Sequence, residues 1–269
     1  MRGLKRFTIA IIGAVLLISG CGNSKGTGNK EHSEQTPTTI AYQYDYRVVA
    51  EYPHSELSYT QGLQYVDGKM LESTGQWGES HLVKYDLHSG EREILASLPE
   101  NEFGEGMTLL NGSIYQLTWT SKKAYRYDME GNILGTYNYR GEGWGLTTDG
   151  SSLYLSDGTS TIRRINPETF ATEESICVTL DGEPLDYINE LEWIDGHIWA
   201  NIYLSTAIVE IDPATGVVVG YIILPELRHR LQDNPEAEVL NGITLNPESG
   251  NLLVTGKYWN RIFEIQVMR

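Results

Sequence analysis

Five residues that could take part in chemistry recur at the same place in a repeated pattern. They are Gln61, Glu105, Trp144, Asn189 and Asn241. Each is followed by a residue that is Gly in four of the five copies, then by an apolar residue, a short β-like run, a turn and a second β-like run. Glu105 is the one carboxylate of this set and is therefore the candidate for proton transfer, while the amides can hydrogen-bond and the indole can form an apolar wall. We expect the five side chains to face one another around one axis.

The repeat itself predicts the fold that would bring these residues together. The residues that directly follow the five are spaced 44, 39, 45 and 52 positions apart, and each copy contains short β-like runs joined by turn signals such as Asn111-Gly112 and Asp195-Gly196. Four strands in a period of about 45 residues are typical of a β-propeller, in which the innermost strand of each blade borders a central channel. The sequence therefore predicts an all-β, five-bladed propeller with four-stranded antiparallel blades.

The last copy of the repeat is incomplete, because the chain ends after its third β-like run. Residues 44–52 have strand composition and precede the first copy. We predict that this N-terminal strand completes the last blade and so removes an exposed sheet edge. Residues 225–237 are the one helical insertion that the pattern indicates, and they account for the longest interval between copies.

The N-terminus has the features of an exported bacterial lipoprotein. A basic start precedes an apolar run that is too short to span a bilayer as a mature helix, and Ile18-Ser19-Gly20 before Cys21 resembles a lipobox. We predict a signal peptide at residues 1–20, a lipidated Cys21, a flexible tether over residues 21–43 and a catalytic propeller over residues 44–269. The expected location is the cell envelope, with the lipid anchor in a bacterial membrane.

Charge and cysteine content exclude several partners and sites. The formal net charge of −16 becomes −19 when the three cations of residues 1–20 are removed, which argues against nucleic acid and anionic lipid surfaces. Besides Cys21 there is only Cys177, so no disulfide within the mature chain is expected. Cys177 lies between two apolar residues and is expected to be a buried small side chain. The histidines form no spaced pair that resembles a zinc site.

Motifs along residues 45–269 together resemble the glutaminyl-peptide cyclotransferases of the plant and bacterial type, which are five-bladed propellers. The motifs are Tyr59-Thr60-Gln61-Gly62-Leu63, Phe103-Gly104-Glu105-Gly106-Met107-Thr108, Leu117-Thr118-Trp119, Gly143-Trp144-Gly145-Leu146-Thr147, Asn189-Glu190-Leu191-Glu192-Trp193, Ala200-Asn201-Ile202, Leu240-Asn241-Gly242-Ile243 and Val254-Thr255-Gly256-Lys257-Tyr258-Trp259. The resemblance implies conversion of the N-terminal glutaminyl residue of a peptide or protein to pyroglutamyl, with release of ammonia. It also implies that catalysis needs no zinc, and we expect a monomer that requires no cofactor for catalysis.

The resemblance further implies a division of roles among the side chains. Glu105 would carry the proton from the substrate's amine to the departing ammonia, its pKa raised by aromatic neighbours, and Lys257 or an Asn amide would stabilise the oxyanion. The remaining residues would bind the substrate by walling its side chain or by hydrogen-bonding its amine and amide. They are Gln61, Trp119, Trp144, Asn189 and Trp193, and the ring position adds Asn241 to them.

Two other functions are compatible with a propeller of this kind. Glu105, Asn189 and Asn241 could hold a calcium ion by oxygen ligands, as a metal-dependent lactonase or esterase would require, although such a site favours a further carboxylate in the ring. A propeller that only binds a peptide or glycan would depend on Glu105 for affinity alone. A structural calcium ion in the central channel is compatible with all three functions.

Overall fold

The computed structural model of the protein describes residues 40–231 and 233–269, and within them five four-stranded antiparallel sheets account for most of the chain. Its first two strands are β1 (Tyr42–Gln43) and β2 (Asp45–Pro53). The predicted signal peptide, Cys21 and nearly all of the predicted tether lie outside the described residues. β1, however, falls inside the range assigned to the tether and pairs in parallel with a later strand, so ordered structure begins before Tyr44.

The first three blades follow one another along the chain. Blade 1 consists of β3 (Thr60–Val66), β4 (Lys69–Thr74), β5 (His81–Tyr85) and β6 (Arg92–Ser97). Blade 2 consists of β7 (Gly104–Leu110), β8 (Ser113–Thr118), β9 (Lys123–Tyr127) and β10 (Ile133–Asn138). Blade 3 consists of β11 (Leu146–Thr148), β12 (Leu153–Ser156), β13 (Thr161–Ile165) and β14 (Thr172–Cys177). A small hairpin of β15 (Thr179–Leu180) and β16 (Glu183–Pro184) precedes the next blade.

The last two blades complete the ring. Blade 4 consists of β17 (Ile188–Ile194), β18 (His197–Ile202), β19 (Ala207–Ile211) and β20 (Val218–Ile223), with β1 added outside β20. The helix α1 (Pro225–His229) follows, inside the predicted insertion. Blade 5 consists of β21 (Leu240–Asn246), β22 (Asn251–Gly256), β23 (Arg261–Met268) and the N-terminal strand β2. Eight residue pairs join β2 to β23, which confirms the predicted closure. In the part of the chain that the structure covers, no helix has the length and apolarity to cross a membrane.

The hydrophobic core consists of five layers, one between each pair of neighbouring blades. Leu63 and Val83 of blade 1 pack with Leu253 and Ile262 of blade 5, so the first and last blades are joined in the same way as the others. The second strand of each blade is buried along most of its length. Each blade therefore supplies apolar side chains to both of its neighbours, and no blade could bury them alone.

The residues that follow the ring positions explain why Gly recurs there. A Cβ atom on Gly62 would lie 2.5 Å from the backbone nitrogen of Met107, and one on Gly145 would lie 2.0 Å from the carbonyl oxygen of Asn189. The inner strands of adjacent blades thus approach too closely for a side chain. The exception is Glu190 of blade 4, whose carboxylate accepts hydrogen bonds from the backbone N–H groups of Leu63 in blade 1 and Ile243 in blade 5.

Candidate active site

One cavity of about 240 Å³ opens at the ends of the strands where the ring residues stand. Its lining residues are Tyr59, Gln61, Phe103, Glu105, Trp119, Trp144, Asn189, Tyr203 and Lys257. Its volume is below the range of about 300–1,000 Å³ that drug-sized ligands occupy. The cavity therefore has room for one amino-acid residue with its side chain and not for a longer piece of peptide.

A distortion of the inner strands directs the ring residues into this cavity. The pairing of the first two strands shifts register between Thr60 and Gly62, between Gly104 and Met107, between Ile188 and Leu191, and between Leu240 and Ile243. Such bulges re-aim a side chain away from the ordinary alternation of a strand. Each shift contains a ring position. The bulges of blades 1, 2 and 4 turn Gln61, Glu105 and Asn189 toward the cavity, whereas Asn241 in the bulge of blade 5 does not line it.

The residue after each second strand adds another layer of the cavity. Trp119, Tyr203 and Lys257 stand directly after β8, β18 and β22, and each donates its backbone N–H to the residue two positions before the ring residue of its own blade. In blade 1 the equivalent residue is Gly75, where a Cβ atom would lie 2.4 Å from the ring of Phe103. The chain thus places aromatic or charged side chains in three blades and leaves space for Phe103 in a fourth.

Glu105 is almost completely enclosed, with 5% of the residue exposed. Burial raises the pKa of its carboxyl well above the usual value, the charge of Lys257 opposes this effect, and the charge of Glu142 adds to it. Ser73 donates a hydrogen bond to the backbone carbonyl of Glu105 and fixes the strand at this point. A carboxyl in this environment can hold a proton at a pH where an exposed glutamate would have lost it.

Lys257 supplies a positive charge to the same cavity. Only 3% of the residue is exposed, and its Nζ lies 4.4 Å from the ring centroid of Tyr59 and 5.2 Å from that of Tyr203. Burial lowers the pKa of its ammonium group, while the charges of Glu105 and Glu238 raise it. The two aromatic faces hold the ammonium group in place by cation–π attraction. A localised positive charge of this kind can stabilise an oxyanion.

Glu142 fixes two of the aromatic walls at once. Its Oε2 accepts hydrogen bonds from the Nε1 atoms of Trp119 at 2.6 Å and Trp144 at 2.9 Å. Arg163 in turn donates to the backbone carbonyls of Glu142 and Arg140, which holds the loop that carries Glu142. The two indoles come from different blades, so this single carboxylate sets the distance between them.

Gln61 and Asn189 line the cavity as predicted, but Asn241 does not. Asn241 is fully buried. Its Nδ2 donates hydrogen bonds to the carbonyl oxygen of Thr60 at 2.9 Å and to Oε1 of Gln61 at 3.2 Å. The bond from Gly242 N–H to Asn201 turns the strand so that the Asn241 amide reaches toward blade 1. Asn241 therefore orients Gln61 and joins the last blade to the first, without facing the cavity.

Trp193 also lies outside the cavity, contrary to its predicted place. It stacks on Tyr154, with ring centroids 5.2 Å apart, and packs against the core between blades 3 and 4. Four positions separate it from Asn189 along β17, or about 13 Å of extended strand. The side chain thus belongs to the far end of the inner strand. Cys177 differs from its prediction as well: it is exposed, because the outward positions of the outer strand β14 face solvent.

The sequence interpretation missed Tyr59, Phe103 and Glu142, and one signal could have found them. Each of the three stands two positions before the ring residue of its blade. The same offset leads to Tyr187 in blade 4. A search of the repeat for a second varied position, upstream of the first, would have identified this layer.

The charged groups of the site do not form an oxygen cage for a cation. Among residues 40–231 and 233–269, no three His, Cys, Asp or Glu side chains are grouped so as to hold a metal ion. Asn241 is turned away from Glu105, and the ammonium group of Lys257 acts on Glu105 instead. Both oxygens of Glu190 in the channel accept backbone N–H donors. The described residues thus offer no cluster of carboxylates of the kind that a hydrolytic calcium site favours.

Comparisons with known proteins agree over most of the chain. A sequence model described as glutamine cyclotransferase matches residues 22–267. The chain is 38% identical over 225 residues to a glutaminyl-peptide cyclotransferase of Arabidopsis thaliana, a match that covers 82% of this chain and 70% of that protein. It also resembles the crystal structure of a Myxococcus xanthus glutaminyl cyclase, with a TM-score of 0.77, 37% identity, and coverage of 85% of this chain and 98% of that one.

Proposed function

The chain belongs to the glutamine cyclotransferase family, and we propose that it cyclises N-terminal glutaminyl residues of peptides and proteins with Glu105 as the proton shuttle. The reaction is an acyl transfer, since the side-chain acyl group of glutamine moves from its amide nitrogen to the α-amine of the same residue. The observation that supports Glu105 most directly is its burial in an aromatic cavity beside Lys257. No cofactor takes part in this proposal.

The proposed reaction begins with the glutaminyl residue folded back on itself in the cavity. The neutral α-amine attacks the side-chain amide carbon, a new carbon–nitrogen bond forms, and the carbonyl oxygen takes the negative charge. Glu105 accepts a proton from the attacking nitrogen and delivers it to the amide nitrogen, which leaves as ammonia when the second carbon–nitrogen bond breaks. Because the two reacting groups belong to one residue, restricting their conformation supplies much of the rate.

The residues that line the cavity bind the substrate and stabilise the oxyanion. Trp119 and Trp144, set by Glu142, exclude water and hold the aliphatic part of the glutamine side chain. Lys257 and the Asn189 amide stabilise the oxyanion. Gln61 hydrogen-bonds the substrate's amine or amide, and Asn241 orients the Gln61 side chain. The raised pKa of Glu105 suits a group that must both accept and release a proton near neutral pH.

An assay for ammonia tests this function against its two alternatives. Purified protein is incubated with a Gln-initiated peptide, and ammonia and the loss of 17 Da from the peptide are followed with and without chelator. We expect both signals, and we expect them to persist with chelator. Ester or lactone hydrolysis that chelator abolishes, with no ammonia, would instead identify a metal-dependent hydrolase. Peptide binding without turnover would identify a binding protein.

The proposal also includes the place of action. The sequence Ile18-Ser19-Gly20 before Cys21 favours a lipid-anchored protein whose monomeric propeller acts on exported peptides at the cell envelope. The net charge of −19 that remains without residues 1–20 is consistent with a domain that does not lie on an anionic lipid surface.

A further inference from the structure

The peptide that follows the glutaminyl residue must leave the cavity across its rim. The cavity has about 240 Å³ and is lined by Glu105. In the proposed reaction both reacting groups of the substrate meet this carboxyl. The α-carbonyl, which continues into the second residue, therefore points outward. The residues at the rim of the cavity then contact the side chain of the substrate's second residue.

Trp77 is the exposed aromatic residue that is continuous with the cavity wall. Half of it, 49%, is accessible to solvent. Its ring lies 5.7 Å from that of Phe103, edge to face, and Phe103 lies 5.8 Å from Trp119 in the same manner. Phe103 and Trp119 both line the cavity. An apolar path thus runs from the glutamine site to the outer face of Trp77.

The loop that carries Trp77 is held rigidly although Trp77 itself is exposed. The carbonyl oxygen of Gln76 accepts hydrogen bonds from Ser80 Oγ at 2.6 Å and from the backbone N–H of Glu79 at 3.2 Å. Ser80 Oγ also accepts the backbone N–H of Gly104, next to Glu105. Gln76 has a left-handed backbone with φ of 94°. The surrounding contacts maintain this unfavourable conformation, so the backbone that carries Trp77 loses little freedom when the indole contacts a ligand.

Carboxylates surround this part of the rim. Glu79 is exposed in the same loop, and the charges of Glu79 and Glu238 both reach Tyr258, whose ring packs against Tyr59 of the cavity. A second residue with a negative charge would be repelled here, whereas an apolar one would bury surface against the indole.

We propose that Trp77 forms a subsite for the second residue of the substrate, and that this subsite favours aromatic and large aliphatic side chains and disfavours acidic ones. The inference rests on the proposed cyclisation, because it assumes a glutaminyl residue in the cavity. Trp77 would contact the substrate away from the reacting atoms, so it determines specificity and does not take part in the proton transfer.

The test compares three peptides that differ only in the second residue, Gln-Phe-Ala-Ala, Gln-Gly-Ala-Ala and Gln-Glu-Ala-Ala, by initial rates of ammonia release. For the wild type we expect kcat/KM to be about fivefold or more higher with Phe than with Gly, and lowest with Glu. Trp77→Ala should bring the Phe and Gly values within twofold, mainly by raising KM for the Phe peptide, with kcat for the Gly peptide unchanged. Trp77→Phe should retain most of the preference.

Tyr187→Ala is the matched control, because Tyr187 is an aromatic rim residue of similar exposure, 56%, in blade 4. It should leave the Phe-to-Gly ratio unchanged. A wild type without preference, or a Trp77→Ala protein with the wild-type ratio, would overturn the subsite while leaving cyclisation established. Loss of preference in Tyr187→Ala alone would overturn it too. No ammonia from any of the three peptides would overturn the cyclisation and the subsite together.

Discussion

Replacement of Glu142 tests whether one carboxylate sets both indole walls of the cavity. Glu142→Ala removes the acceptor of the hydrogen bonds from Trp119 and Trp144. A hydrogen bond to a charged group contributes about 1.5–3 kcal/mol when buried, but Glu142 is only half-buried, so water can replace part of each bond. The net loss is then about 1–2 kcal/mol for the pair, which corresponds to a fall in kcat/KM of about 5–30-fold.

Glu142→Gln separates the charge of this residue from its hydrogen bonding. The amide keeps an oxygen acceptor for the indoles, so we expect a smaller loss of kcat/KM than in Glu142→Ala. The negative charge that helps to raise the pKa of Glu105 is removed. Because activity is lost as Glu105 becomes protonated, a lower pKa keeps the base available in more acidic solution, and the acid limb of the kcat/KM profile should move to lower pH.

The assay is ammonia release from Gln-Gly-Ala-Ala between pH 4.5 and 9, with circular dichroism to confirm folding. Glu79→Gln is the matched control, since it removes one rim carboxylate that hydrogen-bonds neither indole. It should leave kcat/KM within about twofold and the acid limb in place. This role of Glu142 is refuted if Glu142→Ala keeps its kcat/KM within twofold of the wild type, or if the acid limb of Glu142→Gln coincides with that of the wild type.

Three further predictions concern closure, buried charge and anchoring. Deleting residues 22–51 removes most of β2 and six of its eight pairs with β23, at about 0.2–1 kcal/mol each, so the melting temperature should fall by at least about 5 °C. Deletion of 22–39 should not change it, and equal melting temperatures for the two truncations would contradict the closure. Burial raises the pKa of Glu192 to about 8, so its contribution to stability is present below about pH 4.5 and is lost as the pH rises through 8. Glu192→Gln should therefore reduce the difference in melting temperature between pH 5 and pH 8, and an unchanged difference would disprove this assignment. Cys21→Ser should abolish lipidation and release the protein from membranes or block its processing, and mass spectrometry showing an unmodified mature start elsewhere would exclude the anchor.

Repetition made the architecture and most of the cavity predictable from the sequence. Equivalent positions in successive blades occupy equivalent places around the axis, so Gln61, Glu105, Trp144 and Asn189 could be grouped without knowing any distance. The missing fourth strand of the last blade likewise indicated the role of β2, because an open edge would otherwise remain.

The exceptions arise where tertiary contacts differ between blades. Asn241 has the predicted position in the repeat, but the junction between blades 5 and 1 turns its amide toward Thr60 and Gln61. Trp193 was assigned from the family resemblance, while its place near the end of β17 puts it in the core. The position of Glu142 could have been found from the repeat, but its hydrogen bonds to Trp119 and Trp144 could not, because the two indoles are distant in sequence from each other.

The most direct test of the proposed function is the turnover of Glu105→Gln. The substitution keeps the shape and hydrogen-bonding capacity of the side chain but removes its exchangeable acid. Calorimetry with a Gln-initiated peptide should show binding close to that of the wild type, and kcat for ammonia release should fall by at least about 10²–10⁴-fold, as expected for the loss of a general acid–base group. A well-folded Glu105→Gln protein that cyclises the peptide within a fewfold of the wild-type rate would contradict the assignment of Glu105 as the proton shuttle.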